Sequence, residues 1–252
     1  MNNTKIIIQA RTGSTRLPRK MILPFYENEG IFSLLLKKLT SAFDKNDIIL
    51  ATSTNPNNDI LVEIAERYEV NYYRGSENDV LRRFIDAAKE FEAENIIRVC
   101  ADNPFLDVFY IELLMEKFEQ FNCDYLSYMT SDGIPSIKTH YGFWAEAVKL
   151  SALEKVRELT NENLYHEHVT NFIYANRDIF DVNFFEIIPQ IDKHKDIRLT
   201  IDTQVDFDIQ KEIFNKLNNN IPNFTSLNVI DFLEDNPHYL DIMRNEILKN
   251  QK

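Results

Sequence analysis

Residues 6–22 read IIIQARTGSTRLPRKMI, and what they can form limits the whole chain. Three consecutive isoleucines, Ile6, Ile7 and Ile8, leave no polar face, the pattern of a parallel strand covered on both sides. Gln9 ends the run. A loop with Arg11, Arg16, Arg19 and Lys20 follows, and then IFSLLLKKLTSAF (31–43), which has helical periodicity. Strand, loop and helix in that order is the usual setting for a bound phosphate. The glycine-rich signatures G-x-G-x-x-G and G-x-x-x-x-G-K-[ST] are both absent, and Gly13 is one of only five glycines in the chain. Gly13 and Ser14 can let backbone N–H groups approach an anion, while Arg11, Arg16 and Lys20 can bond phosphate oxygens. The alternative is a solvated basic loop paired with nearby acids.

The same rhythm continues outward from this loop. DIILATST (47–54) predicts a second strand and NNDILVEIAERYE (57–69) a helix with an N-cap among Asn57 to Asp59. NYYRG (71–75) closes a third strand, and SENDVLRRFIDAAKEFEA (76–93) is amphipathic. NIIRVCAD (95–102) is a further strand ending before Asn103 and Pro104, and Asp107 can cap the helix VFYIELLMEKFEQF (108–121). This alternation implies right-handed βαβ units and an α/β fold with a mostly parallel sheet, helices on both faces. After DYLSYMT (124–130) the pattern changes. IKTHYGFWAEAV (137–148) and DVNFFEIIP (181–189) predict strands outside the alternation, with helices near 150–160 and 163–176 between them. IRLTIDT (197–203) predicts a late strand, followed by a helix over 205–219 and two more. With no repeat or linker, residues 1–252 are expected to form one domain with an inserted segment at about 135–190.

Composition excludes several classes. The chain has 28 Lys and Arg against 40 Asp and Glu, a formal net charge of -12. A nucleic-acid or membrane-surface binder needs a broad basic face, which this balance does not supply. Two cysteines, Cys100 and Cys123, form neither a metal spacing nor a disulfide framework, as suits a reducing cytoplasm. No apolar run approaches the roughly 18 residues of a membrane span, and the N-terminus lacks a signal-peptide pattern. A soluble cytoplasmic protein is expected, with a small anionic ligand bound at one basic spot.

The order Gln9-Ala10-Arg11-Thr12-Gly13-Ser14-Thr15-Arg16-Leu17-Pro18-Arg19-Lys20 resembles the opening signature of the cytidylyltransferases that activate acidic sugars, such as the KDO and acylneuraminate enzymes. It is most similar to their spore coat polysaccharide SpsF group. Further blocks agree in order: ATSTNPNND (51–59), YRGSENDVLRRF (73–84), IRVCADNPFLD (97–107), YHEHVTNFI (165–173), LTIDTQVDFD (199–208) and FLEDNPHYL (232–240). The resemblance thus spans nearly the whole chain. It implies a Rossmann-like nucleotide-diphospho-sugar transferase (GT-A-like) fold and a homodimer built through the inserted segment. The implied reaction is transfer of a cytidylyl group from CTP to a sugar acid or a phosphorylated sugar or polyol, releasing pyrophosphate, for surface polysaccharide or glycan synthesis.

Residue by residue, the resemblance implies a nucleotide held by Ala10, Arg11, Gly13, Ser14, Arg16, Lys20, Ala51, Thr52, Asp79, Arg82 and Cys100. It gives Mg²⁺ to Asp102 and Asp202, catalysis to these two with Arg11 and Lys20, and acceptor binding or an oligomer contact to Glu167 and His168. Nucleotidyl transfer needs positioning and charge neutralisation more than covalent chemistry, and Mg²⁺ prefers one or two carboxylates with phosphate oxygens and water. Simpler roles stand beside these. Asp102 before Asn-Pro can end a strand by turn chemistry, Asp79 can belong to a capping box with Ser76, and Arg82 and Arg83 can form a solvated helix face. Asp206 and Asp208 lie near Asp202, Asp206 as a helix N-terminal residue and Asp208 at the surface. His166 and His168, two apart, lack the i, i+4 spacing of a zinc helix. Tyr141, Phe143 and Trp144 are expected in a core or interface. A glycosyltransferase using a nucleotide sugar is the alternative activity, although its usual D-x-D is here Asp102-Asn103-Pro104; a different base, GTP or UTP, is another. Two departures bear on the nucleotide: Cys100-Ala101 stands where KDO-activating enzymes carry Gln-Gly, and Arg19 replaces a glycine.

Overall fold

The triple isoleucine forms the middle of a seven-stranded sheet. The computed structural model describes residues 3–250, and its chain runs β1 (Thr4–Gln9), α1 (Ile31–Ala42), β2 (Ile48–Ser53), α2 (Asp59–Arg67), β3 (Asn71–Gly75) and α3 (Val80–Glu90). Next come β4 (Asn95–Cys100), α4 (Val108–Phe121), β5 (Tyr125–Met129), β6 (Glu146–Lys149), α5 (Leu150–Leu159), α6 (Asn163–Glu167) and α7 (Asn171–Ala175). The chain ends with β7 (Val182–Glu186), α8 (Pro189–Asp192), α9 (Gln204–Asn220), α10 (Ser226–Asp235) and α11 (His238–Lys249).

The strand order is β3-β2-β1-β4-β6-β5-β7, with β6 antiparallel to both neighbours and the other pairings parallel. Alternation along β1 explains its composition. Ile6 and Ile8 join a core shared with α1, α4 and α9 to α11, whereas Ile7 packs with Val80, Leu81 and Phe84 of α3 on the other face. A strand segment covered on both faces favours apolar side chains at successive positions.

The topology also locates a crevice. From β1 the chain steps outward to β2 and β3, then returns to place β4 on the other side of β1. Strand order therefore reverses between β1 and β4, where open α/β sheets bind ligands beyond the carboxyl ends. Gln9 pairs in register with Ala51 on one side and Cys100 on the other, so β1 and β4 end level while β2 runs on to Ser53.

The structure departs from expectation in the second half. Residues 197–203 are extended but join no sheet: Leu199 N–H donates to the His140 carbonyl at 2.7 Å and Ile201 N–H to the Asp102 carbonyl at 3.3 Å. The segment is stitched between two loops because its partners are loops. Gly142 makes that approach possible; it sits at φ 72°, and a Cβ there would lie 2.8 Å from the Leu199 carbonyl oxygen. Within 137–148 only the last residues form a strand, and the helix expected over 163–176 breaks into α6 and α7 around His168 to Thr170. The segment at 135–190 supplies β6 and β7 to the main sheet. No helix among the described residues is long and apolar enough to cross a membrane.

Candidate active site

The loop after β1 is held by its own backbone and by the β2–α2 connection. Ser14 and Arg19 N–H both donate to the Thr12 carbonyl at 3.0 Å, and Arg19 takes a left-handed φ of 61° to do so. Thr12 N–H and Oγ1–H donate to Asn58 Oδ1 at 2.8 and 2.9 Å, and Asn58 Nδ2 donates to Ser53 Oγ at 2.6 Å. Leu17 and Met21 sink into the core. The loop is thereby a fixed platform from which its cations reach different walls.

Each of three cations meets a carboxylate from another segment. Buried Lys20 donates to Asp102 Oδ2 at 2.9 Å and also to the Ile201 carbonyl. Arg16 pairs with Asp202 Oδ1 at 2.6 Å, and Arg11 with Glu167 Oε1 at 3.0 Å. The Arg11 and Arg16 side chains are 40% and 46% exposed, so water screens those pairs and they hold their partners weakly. A polyanion with several phosphate oxygens has more to offer both guanidinium groups.

Asp102 and Asp202 line one cavity of about 610 Å³, with Arg98, Cys100, His140 and His168 among the other walls. Arg98 rises from β4 through the floor as a buried charge. Its Nη2 donates to Gln9 Oε1 at 2.9 Å and its Nη1 to Glu146, which also accepts from Tyr125 Oη and from Thr170 Oγ1 at 3.0 and 3.2 Å. Burial works against the Arg98 charge, but the surrounding Cys100 and Glu146 hold its pKa above the usual arginine value. Burial pushes the Cys100 thiol up to about 11, so this wall is a neutral S–H at physiological pH. Arg98 Nε, Trp144 Nε1 and Asn103 Oδ1 are buried, have no protein partner and belong to residues lining this cavity. Buried polar atoms are normally paired, so these two donors and one acceptor are unsatisfied groups packed behind the cavity wall.

The expected site residues separate into groups. Ala10, Arg11, Gly13, Ser14, Arg16 and Lys20 lie on the platform, and Asp102, Asp202, Cys100 and His168 line the cavity. Ala51 and Thr52 are buried at the carboxyl end of β2, where Thr52 Oγ1 has no protein partner. Asp79 caps α3, accepting from Arg82 N–H at 2.9 Å, and also pairs with His166 at 3.0 Å. Arg82 itself is more than half exposed and pairs with Asp86, one turn on. Its neighbour Arg83 is the buried one, bonded to the Ser76 carbonyl, with Nε and Nη2 unpartnered. Glu167 faces Arg11 and is absent from the cavity wall, and His166 and His168 diverge. Trp144 is both core and cavity wall, while Arg19 opens onto a separate cavity beside Arg67.

Among the described residues no three His, Cys, Asp or Glu side chains cluster as a metal cage. Two hard carboxylates on separate segments, facing one cavity beside the cations of the loop after β1, are a donor set that suits Mg²⁺ completed by phosphate oxygens and water.

Several residues of this site were not singled out from the sequence. Arg98 had a signal, a cation inside an apolar strand, but its partner Glu146 lies 48 residues away. Arg198 resembles it, a charge at the head of an alternating run. Asn58 was read only as a candidate helix cap, and His140 and Asn103 carry no signal beyond their position in loops.

Comparison with known proteins follows the same outline. A cytidylyltransferase family model matches residues 5–235. An uncharacterised protein of Methanocaldococcus jannaschii is 36% identical over 95% of this chain and 93% of its own. The spore coat polysaccharide biosynthesis protein SpsF of Bacillus subtilis is 31% identical over 94% of this chain and 96% of its own. A solved cytidylyltransferase from Leptospira borgpetersenii superposes with a TM-score of 0.83 at 27% identity, covering 97% of this chain and 98% of that one.

Proposed function

The chain belongs to the cytidylyltransferase family and is a nucleotidyltransferase, and from that premise we propose that it transfers a cytidylyl group from CTP to an oxygen of a sugar-type acceptor, releasing pyrophosphate. The observation that carries this reading is the convergence of Arg16 on Asp202 and Lys20 on Asp102 at the edge of one cavity. It joins the loop after β1 to one carboxylate from the turn after β4 and one from the segment before α9.

In this scheme the triphosphate lies along the loop after β1. Arg11 and Arg16 leave their screened carboxylate partners for phosphate oxygens. Lys20, buried and fixed by Asp102 and the Ile201 carbonyl, has little freedom and stabilises charge that grows on the leaving pyrophosphate. Asp102 and Asp202 would hold Mg²⁺, which supplies charge neutralisation to the reacting phosphate when bound. The acceptor occupies the cavity beside them, between walls that include Arg98, Asn103 and Trp144. His168 lines that space; Glu167 serves it indirectly, through Arg11. Activated sugars of this kind feed polysaccharide synthesis, the role named for the Bacillus relative.

The test is pyrophosphate release from CTP and Mg²⁺ with a panel of sugar acids and phosphorylated sugars, comparing the native chain with Asp102→Asn. Release that depends on an acceptor and disappears in a folded Asp102→Asn variant supports the reading. Undiminished turnover in that variant removes Asp102 from the chemistry.

A further inference from the structure

Arg198 is fully buried, and its guanidinium makes four hydrogen bonds to three residues. Nε donates to Asp206 Oδ1 at 2.7 Å and Nη2 to Asp206 Oδ2 at 2.9 Å. Nη2 also donates to Asp202 Oδ2 at 3.1 Å, and Nη1 reaches His140 Nδ1 at 2.9 Å. Asp206 is itself fixed, since its Oδ2 accepts the N–H groups of Asp202 and Thr203 at 3.0 and 2.9 Å in the capping box of α9. The guanidinium is therefore anchored on one side and extends two bonds outward on the other. Those bonds go to Asp202 and to His140, and both residues line the cavity.

Chemistry fixes what these outward bonds do. A guanidinium only donates, so His140 Nδ1 must accept, and the ring proton sits on Nε2. Asp202 is tied from behind by the buried Arg198, which defines the direction of its carboxylate, while the exposed Arg16 pairs with its other oxygen only weakly. Lysine cannot replace this fork, because its donors radiate from one atom. We propose that Arg198 is a positioning residue that ties the Asp202 carboxylate to the acceptor-side wall, setting the orientation of Asp202 and locking His140 in its Nε2–H tautomer. The part concerning Asp202 rests on the metal role given to it above; the part concerning His140 does not.

Two measurements test it. Long-range ¹⁵N–¹H spectra of the histidine rings in the whole chain, with His140 assigned through His140→Gln, report the tautomer directly. A single form with bare Nδ1 and protonated Nε2 is expected; a wild-type ring protonated at Nδ1 overturns the proposal. Calorimetric titration of CTP with and without Mg²⁺ then compares the native chain with Arg198→Lys. Residues that orient a metal ligand typically contribute about 10- to 100-fold in metal affinity, so the Mg²⁺-dependent gain should fall at least about tenfold while metal-free affinity stays within about twofold. Arg198→Lys should also populate both His140 tautomers. A folded variant that keeps the full gain and the single tautomer overturns the proposal; if the variant does not fold, the wild-type spectrum decides. A wild-type chain that binds no CTP defeats the functional reading, while the ring spectrum still tests Arg198.

Discussion

Arg98 is a charge in the middle of an apolar strand, and Glu146 is its charge partner. The two side chains are 6% and 3% exposed, so removing one leaves the other buried without a counterion. Glu146→Gln should lower stability by about 3–5 kcal/mol, read as a reduced urea midpoint, whereas the apolar double replacement Arg98→Met with Glu146→Leu should recover most of that loss. Asp206 makes a pH-dependent prediction. Burial raises its pKa, but bonds from Arg198 and from the Asp202 and Thr203 amides outweigh that and hold it below the usual carboxylate range. A depressed folded-state pKa stabilises above the unfolded value and is lost as pH falls through the folded one, so the effect belongs below about pH 4. Acid titration of folding should therefore be less steep in Asp206→Asn than in the native chain. The placement of Arg11, Lys20 and Asp102 beyond a strand end was legible, whereas Asp202 lies on a run read as a strand that joins no sheet. Arg98 with Glu146, and Arg198 with His140, were not legible, because their meaning depends on a partner across the fold.

The first-half elements followed from periodicity and caps. Asp107 shows how local chemistry reaches further: its carboxylate caps α4 through Phe109 N–H at 3.1 Å and accepts from Ser226 N–H of α10 at 2.8 Å. Asp107→Ala should cost about 1–2 kcal/mol, more than an isolated exposed cap, in chemical denaturation. Residues 197–203 were misjudged for a physical reason: an alternating apolar segment looks like a strand whether its partners are strands or loops. Gly142 marks where those loop partners approach. Gly142→Ala has to adopt φ near 72° and place a methyl against the Leu199 carbonyl. A loss of about 1–3 kcal/mol is expected, together with weakened CTP binding, because the displaced segment carries Asp202. Unchanged nucleotide affinity in that variant would separate the segment from the site.

Across the whole molecule, the sheet brings distant sequence to one edge. The loop after β1, the turn after β4 and the segment before α9 meet only because the strand order reverses between β1 and β4. Periodicity implied such a crevice, and the order of residues 9–20 indicated a phosphate ligand, so the site's location was legible before its walls were. The acceptor wall was not: β6 runs against the parallel rhythm, and α6 and α7 are too short to show a period. In the proposed scheme the basic residues gathered in one loop of an acidic chain offset acids at rest and turn to phosphate when a nucleotide arrives. The measurement to make is thermal unfolding with CTP, GTP, ATP and UTP in turn, with and without Mg²⁺. A nucleotide at about a hundredfold its dissociation constant adds about 2.7 kcal/mol, roughly 5–10 °C for a chain of this size. A shift of that size for CTP, larger with Mg²⁺ and absent in Lys20→Ala, is the expected result; an equal shift for all four nucleotides, or none for CTP, would contradict it.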